Sequence, residues 1–308
     1  MDNKKGRWIT VKGNHIFIED GQTVEEAMAD AFNFDNEDED LNVEVEGSSD
    51  FDDDELITTK YFLKGFGQVS KRAYDNLKSQ GKDLYTEIVK TPKDDLPFAR
   101  LSKREDMKTA AANTNPLFKT GEYAWTYNCQ RCVIALEMRY RGYDVTAKPR
   151  LSEEEENIFK SSSHWTDSFK DFEWEYPGYY QGDSTASHEA MEKDMAKCGV
   201  GARFIVRVVW KKHHWETDRE NVSSHVLNAI VNEDGEVIYY DGQKGKKYMS
   251  WRNHCQYKYT KYARVDNLHM TDKVANCVYD KGKQPDRFSV TKNKWLTKEE
   301  ADEGYETI

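Results

Sequence analysis

The chain has 308 residues, of which 33% are charged and 37% hydrophobic, and its formal net charge is −11. No apolar run approaches the roughly 18 residues that a membrane-spanning helix needs, and the first residues lack the apolar stretch of a secretory signal. We therefore expect no signal peptide, no transmembrane segment and no membrane partner. Five cysteines are too few and too scattered for a disulfide framework, which indicates a reducing compartment.

The negative charge is concentrated near the start of the chain. Residues 1–60 hold 18 acidic and 5 basic side chains, so they carry about −13 and leave the remainder near +2. A near-neutral body lacks the basic surface that general nucleic-acid binding needs, and we expect no nucleic-acid partner. Acidic residues dominate from Asp35 to Glu55, which predicts an acidic linker over residues 35–57. The N-terminal arm is therefore expected to be largely disordered.

Two weaker patterns lie on either side of this linker. β-Rich runs flank the turn Lys12-Gly13-Asn14, and Thr23 precedes a helix start, so residues 1–34 are predicted to form a small β-hairpin and helix segment. Residues 58–118 mix Lys, Asp and Leu around two proline breaks and are predicted to be a polar helical region.

The elements beyond residue 119 are predicted more specifically. Apolar spacing predicts a helix from Cys129 to Tyr140, ended by Gly142. Residues 151–183 form an acidic, aromatic insertion without a clear pattern. The remaining predicted elements, in chain order, are an extended piece at 143–147, a helix capped by Ser187 over 188–198, a strand at 204–210, and a hairpin of strands 225–231 and 236–241. Residues 286–308 are expected to be a C-terminal tail.

A cysteine at the start of a helix is a candidate nucleophile. Free backbone N–H groups and the helix dipole favour a thiolate at this position, and the thiolate is the reactive form. Cys129 follows Asn128 at such a start. The same N–H groups, together with the Asn128 side chain, are expected to bind an oxyanion.

The predicted hairpin supplies a base and an acid. Gly235 suits a three-residue loop that pairs Asn232 with Glu236, and the same register continued outward pairs Leu227 with Asp241. His225 shares a face with Leu227, so Asp241 is its diagonal neighbour, within reach of a side-chain hydrogen bond. The pattern fits a nucleophile, a base and a group that orients the base.

These residues together resemble a known family. The segments Asn128-Cys-Gln-Arg-Cys-Val-Ile-Ala135, Arg141-Gly142, Ser224-His225-Val-Leu-Asn-Ala and Asp241-Gly-Gln243 are similar, in this order, to the papain-fold toxin (Tox-PL, glutamine deamidase) domains of bacterial toxins, effectors and phage-encoded proteins. The resemblance implies a catalytic domain over residues 119–285, with Cys129, His225 and Asp241 as catalytic residues and Gln243 supporting them. More weakly, the hairpin at Trp8–Ile18 resembles a segment of phage head and minor structural proteins.

Three alternatives concern the cysteine pair. Cys132 competes with Cys129 as the nucleophile, although one turn further into the helix it is expected to face the core. The pair could also bind zinc with His254-Cys255 or His213-His214, but these partners lack the short, regular spacing of structural zinc sites. It could act as a redox dithiol, but no βαβ pattern precedes it. We therefore expect no metal and no cofactor.

The sequence thus predicts an α+β, papain-like cysteine-hydrolase core, in which a central helix packs on an antiparallel sheet. The expected activity is protein-glutamine deamidation through a Cys–His–Asp triad and a thioester. A cysteine protease with the same triad and a phage structural or packaged protein that uses the domain as a binding module remain alternatives. The expected partner is a protein substrate, presenting a Gln side chain or a peptide bond, with phage structural proteins as further candidates. The expected location is the cytoplasm of a bacterial host or a phage virion.

Overall fold

The computed structural model describes residues 6–11, 14–19, 56–121, 123–150, 165–176, 184–210, 224–248, 257–280, 283, 285–289 and 294–297. The chain divides into two compact units, residues 1–48 and 49–308. In the first unit, strands β1 (Gly6–Val11) and β2 (Asn14–Glu19) pair antiparallel, which is the predicted hairpin. The predicted helix after Thr23 lies outside the described residues, as does the acidic linker up to residue 55.

The second unit holds the remaining elements. Its helices are α1 (Lys71–Ser79), α2 (Met107–Thr114), α3 (Cys129–Tyr140) and α4 (Ser184–Ala196), with shorter helical turns at Pro116–Thr120, Tyr123–Thr126, Thr166–Ser168 and Asp272–Asn276. Its strands are β3 (Ile57–Leu63), β4 (Gly67–Val69), β5 (Leu84–Lys90), β6 (Val145–Ala147), β7 (Arg203–Trp210), β8 (Ser224–Val231), β9 (Val237–Asp241), β10 (Lys246–Tyr248), β11 (Tyr257–Arg264), β12 (Val278–Asp280), β13 (Pro285–Ser289) and β14 (Lys294–Thr297).

A five-stranded antiparallel sheet forms the centre of this unit. Its strand order is β10-β9-β8-β7-β11, so the last strand returns beside β7 after a long excursion of the chain. Helix α3 packs on one face, where the Asn228 amide donates to the Val133 carbonyl at 3.0 Å. Helix α4 packs on the other face, where His188 stacks on Tyr239. The predicted α+β fold with a central helix on an antiparallel sheet is confirmed.

The region at 58–118 differs from its predicted helical structure. Strands β4, β3 and β5 form a three-stranded antiparallel sheet, and only α1, α2 and short turns are helical. β3 and β5 contain β-branched and aromatic residues, but much of β5 is exposed, including Tyr85 and Ile88. Without a strongly buried face, β5 lacks the apolar alternation that makes a strand recognisable in a sequence.

Two glycines let this small sheet dock against the segment after α4. Gly199 and Gly201 both adopt positive φ, and a Cβ on them would lie 2.6 Å from the Thr59 carbonyl oxygen and 2.5 Å from that of Ile57. Backbone hydrogen bonds join Thr59 and Val200 in both directions. Glycine is thus required where two backbones approach this closely.

The other predicted elements agree with the structure to different degrees. Helix α3 has the predicted bounds, whereas α4 begins at Ser184, so Ser187 lies inside the helix and is not its cap. Several residues at this start can cap a helix, and the sequence pattern does not distinguish between them. The predicted C-terminal tail contains the β13–β14 hairpin. Within the described part of the chain, no helix has the length and apolarity to cross a membrane.

Candidate active site

The start of helix α3 is held by a buried network of amides. Asn115 donates through Nδ2 to the carbonyl oxygens of Trp125 (2.9 Å) and Gln243 (3.1 Å) and to Asn128 Oδ1 (3.2 Å). Asn128 donates through Nδ2 to the Lys148 carbonyl at 3.0 Å. The network therefore connects α3 to the turn before it and to the segment after β9, which fixes where the first helical residue lies.

Cys129 is this first residue, and its side chain is partly exposed. Its sulfur hydrogen-bonds to the His225 side chain and to the backbone N–H of Val226. Burial raises the pKa of the thiol, but the hydrogen bond and charge of His225 and the Val226 N–H outweigh it, so the pKa lies below its ordinary value. The site thus favours a thiolate at Cys129.

The predicted hairpin register is confirmed and brings His225 to Asp241. Val231 pairs with Val237, Asn232 N–H donates to the Glu236 carbonyl, and Gly235 has a φ of +81°. Across this hairpin, His225 Nε2 lies 3.0 Å from Asp241 Oδ2. Because Nε2 meets the carboxylate, Nδ1 is the ring nitrogen left for the sulfur.

The charges of His225 and Asp241 stabilise each other. Burial lowers the pKa of His225, but the Asp241 charge and hydrogen bond outweigh it and raise this pKa to about 10. Burial raises the pKa of Asp241, but His225 outweighs it and keeps the carboxyl pKa below its usual value. Between the lowered thiol pKa and about 10, the favoured state is a thiolate beside an imidazolium and a carboxylate.

Helix α3 contacts His225 where strands β8 and β9 separate. Val226 and Asn228 point towards α3, so strand alternation directs His225 towards the opposite face. The pairing of β8 with β9 ends at Asn228 and Tyr240, which leaves the Val226 N–H free of that ladder and available to the Cys129 sulfur. The site therefore lies at the end of the sheet, where β8 and β9 separate.

The Asp241 carboxylate is fixed by the turn that follows it. Asp241 is 1% exposed, and its Oδ1 accepts from the backbone N–H groups of Gln243 (2.9 Å) and Lys244 (3.3 Å), while Oδ2 faces His225. Gln243 in turn donates through Nε2 to the Thr126 carbonyl at 2.7 Å. Gln243 thus links the acid to the turn before α3.

Cys132 lies in the core, as its position one turn into the helix predicts. It is 1% exposed, and its thiol donates to Asn128 Oδ1 at 3.3 Å. Burial and the neighbouring Cys129 charge raise the pKa of Cys132 well above its ordinary value. Of the two cysteines, Cys129 is the one in a setting that favours a reactive thiolate.

The Asn128 amide also donates within the protein. It is 1% exposed, and its Nδ2 donates to the Lys148 carbonyl and, at 3.4 Å, to Asn115 Oδ1, so its contribution to oxyanion binding stays a prediction. The backbone N–H groups of Cys129 and Gln130 are the better candidates, because the first turn of a helix has no carbonyl four residues earlier to accept from them.

Sequence reasoning did not identify Asn115 or the Val226 N–H. Asn115 lies 13 residues before Asn128 and follows α2 without a recognisable motif. The role of Val226 depends on where two strands separate, which no local pattern encodes. The zinc partners considered above, His213-His214 and His254-Cys255, lie outside the described residues. Within the described residues, no group of three or more His, Cys, Asp or Glu side chains could hold a metal ion.

Comparison with protein families identifies the segment that carries this site. Residues 127–246 match the model of a family described as papain fold toxin 1, glutamine deamidase. The matched segment runs from just before α3 through β7, β8 and β9 to the turn after Asp241, and it confirms the resemblance drawn from the sequence. Searches of curated proteins and of solved structures gave no match to the chain.

Proposed function

We propose that residues 127–246, a papain fold toxin 1, glutamine deamidase domain, hydrolyse a carboxamide through a thioester on Cys129. His225 is the proposed general base and acid, and Asp241 orients its ring. The observation that supports this proposal is the chain of hydrogen bonds from Cys129 through His225 to the buried Asp241, at the start of a helix.

In the first half-reaction the Cys129 thiolate attacks the carboxamide carbon. The carbonyl π electrons move onto oxygen, and the first-turn N–H groups of α3 stabilise the resulting oxyanion. When the C–N bond breaks, the His225 imidazolium gives its proton to the leaving nitrogen. Ammonia departs and a thioester remains, with His225 neutral and able to act as a base.

In the second half-reaction water attacks the thioester. Neutral His225 accepts a proton from the water, the C–S bond breaks, and the carboxylic acid product leaves while Cys129 returns to its thiolate. Asp241 stabilises the imidazolium in both halves and holds the ring with Nε2 towards itself. Asn115, Asn128 and Gln243 act as positioning residues, because they fix the start of α3 relative to the turn after β9.

The proposed substrate is a glutamine side chain in another protein, and the product is glutamate. The family match supports this choice over peptide-bond cleavage, since the same thioester chemistry would serve both reactions. The family description also supports a role as a toxin. No observation on the described residues favours the binding-module role or the phage context suggested by the N-terminal segment.

The test is alkylation of the full chain with iodoacetamide, with the modified residue mapped by mass spectrometry, and ammonia release from glutamine-containing proteins. We expect selective modification of Cys129 near neutral pH, and ammonia release that Cys129→Ala abolishes and Cys132→Ala retains. The same substrates are examined for a mass increase of about 1 Da per deamidated glutamine and for cleavage products.

Three outcomes would contradict the proposal in different ways. Peptide cleavage without ammonia release would favour the protease. Faster labelling of Cys132 would move the nucleophile by one turn. Slow labelling of both cysteines, unchanged in His225→Ala, would indicate an inert site and favour the binding module.

A further inference from the structure

A pair of cations lies on the sheet face that leads to Cys129. Lys261 on β11 is opposite Arg207 on β7, and Arg207 is opposite Val226 on β8. Residues opposite each other on neighbouring strands share a face, and each strand is about 4.8 Å from the next. Arg207 and Lys261 therefore lie one and two strands, or about 5 and 10 Å, from the Val226 backbone, whose N–H contacts the Cys129 sulfur.

The ammonium of Lys261 is enclosed by aromatic rings. Lys261 is 7% exposed, and its Nζ lies 4.3 Å from the centre of the Trp174 ring and 5.5 Å from that of Tyr176. Within the described part of the chain, its Nζ donates a single long hydrogen bond, 3.5 Å, to the Tyr176 hydroxyl. The rings face Lys261 because Glu175 pairs with Tyr262 at the free edge of β11, which directs Trp174 and Tyr176 to the face of Lys261.

Neither cation has a carboxylate partner among the described residues. Arg207, which is half-buried, donates to the Ser224 hydroxyl at 3.2 Å, and the nearby Glu175 carboxylate accepts from Tyr262 on the opposite face. Burial and the positive charge of Arg207 lower the pKa of Lys261 to about 8. Two adjacent cations repel each other, and their arrangement becomes favourable when an anion binds between them.

We propose that Arg207 and Lys261 form a subsite, beside the nucleophile, for a carboxylate of the substrate that flanks the target glutamine. This proposal rests on the proposed deamidase function and specifies its substrate class. An extended chain advances about 3.4 Å per residue, so a carboxylate that binds between Arg207 and Lys261, about 5–10 Å from the Val226 backbone, belongs to an acidic residue two or three positions from the glutamine. Trp174 and Tyr176 face the Lys261 ammonium and limit its contact with water.

The test compares two heptapeptides with a central glutamine and serine beside it. The acidic peptide has glutamate at the two outer positions on each side, and the neutral peptide has serine there. For the wild-type chain we expect kcat/KM for ammonia release to be at least about tenfold higher with the acidic peptide, the effect of one charge-assisted hydrogen bond. The ratio should fall towards one in Lys261→Met and in Arg207→Met and remain in Lys261→Arg.

Lys64→Met is the matched control, because Lys64 is an exposed lysine in the turn after β3 and pairs with Asp83. Its ratio should equal that of the wild type. If Lys261→Met does not fold, as judged by circular dichroism, Arg207→Met decides the matter, since Arg207 is only half-buried. Equal kcat/KM for the two peptides in the wild type, or an unchanged ratio in the variants, would overturn the subsite.

A second readout separates the subsite from the deamidase reaction. Each peptide is added to the wild-type chain during alkylation of Cys129 by iodoacetamide, and the protection is measured. Stronger protection by the acidic peptide, lost in Arg207→Met, supports the subsite even where neither peptide releases ammonia, in which case the proposed function fails by itself. Ammonia release at equal kcat/KM from both peptides would support the proposed function and contradict the subsite.

Discussion

A cluster of charged side chains lies at each end of helix α3, and the two clusters have different roles. At its C-terminal end, Glu137 is fully buried and accepts from Arg203 Nε and Nη2 at 3.0–3.2 Å and from Arg141 Nε at 2.8 Å. At its N-terminal end, partly exposed Cys129 meets His225, which in turn meets Asp241.

The difference lies in which groups can exchange a proton. Arginine stays protonated, so the Glu137 cluster keeps its charge at any moderate pH and can only stabilise the fold. Burial raises the pKa of Glu137, but the two arginines outweigh it and hold the carboxyl ionised. Thiol and imidazole both titrate in an accessible range, so the N-terminal cluster can pass protons to a substrate. The helix dipole suits both ends, with the thiolate at the start and guanidinium groups near the end.

Removal of the imidazole should have the largest effect. In His225→Ala the thiolate loses its hydrogen bond and positive partner while burial remains, so the pKa of Cys129 should rise above its ordinary value. We expect ammonia release to fall by about 10⁴-fold or more, with the free energy of unfolding changed much less. Steady-state assays and urea unfolding measure the two quantities. A variant that retains more than a tenth of the activity would exclude His225 as the base.

Removal of the Glu137 charge should have the opposite effect, with a large loss of stability and little change in the reactivity of Cys129. Glu137→Gln leaves Arg203 buried without its hydrogen-bonded carboxylate, while Arg141 keeps its ion pair with Asp94, and it should reduce the free energy of unfolding by about 3–5 kcal/mol. Folded molecules of this variant should label at Cys129 as fast as the wild type, because the change lies two turns away. Urea unfolding and iodoacetamide labelling below the transition test both statements. Slow labelling in the folded state would show that the two ends are coupled.

Asp241→Asn should change the pH dependence. Without the carboxylate, the pKa of His225 falls from about 10, so the alkaline limb of the pH dependence of kcat/KM should move to lower pH by about one unit or more. Activity of the variant at neutral pH should fall about 10²-fold. An unmoved alkaline limb would mean that Asp241 does not control the pKa of His225.

The same pKa shift makes the stability of the wild type depend on pH. His225 binds its proton more tightly in the folded state, so its contribution to stability is complete below about pH 6.5 and is lost as the pH rises through about 10.

Cys132→Ala should have the smallest effect. It removes a thiol that donates to Asn128 Oδ1 and a small volume from the core, which should cost about 1 kcal/mol of stability. Ammonia release should stay within about threefold of the wild type, because Cys129 keeps its contacts with His225 and the Val226 N–H. Thermal unfolding and the ammonia assay measure the change, with Cys129→Ala as the inactive reference. A loss of activity matching that of Cys129→Ala would reverse the assignment of the nucleophile.

Features set by neighbours in the chain were determined by the sequence itself. Apolar spacing and Gly142 specify the bounds of α3, and the glycine loop at Gly235 sets the register that brings His225 to Asp241. Such rules act over a few residues, so they operate in any context. The same reasoning failed for β5, whose exposed residues show no alternation, and for the start of α4, where several residues can cap.

Only the tertiary structure decided how these local pieces combine into a site. It places Asn115 against Asn128, occupies the amide of Asn128, and separates β8 from β9 so that Cys129 meets the Val226 N–H. It also brings β11 beside β7, which sets Lys261 next to Arg207. These contacts join residues that are 13 to about 100 positions apart. They depend on strand order and on competition for hydrogen bonds, and neither leaves a pattern among neighbouring residues.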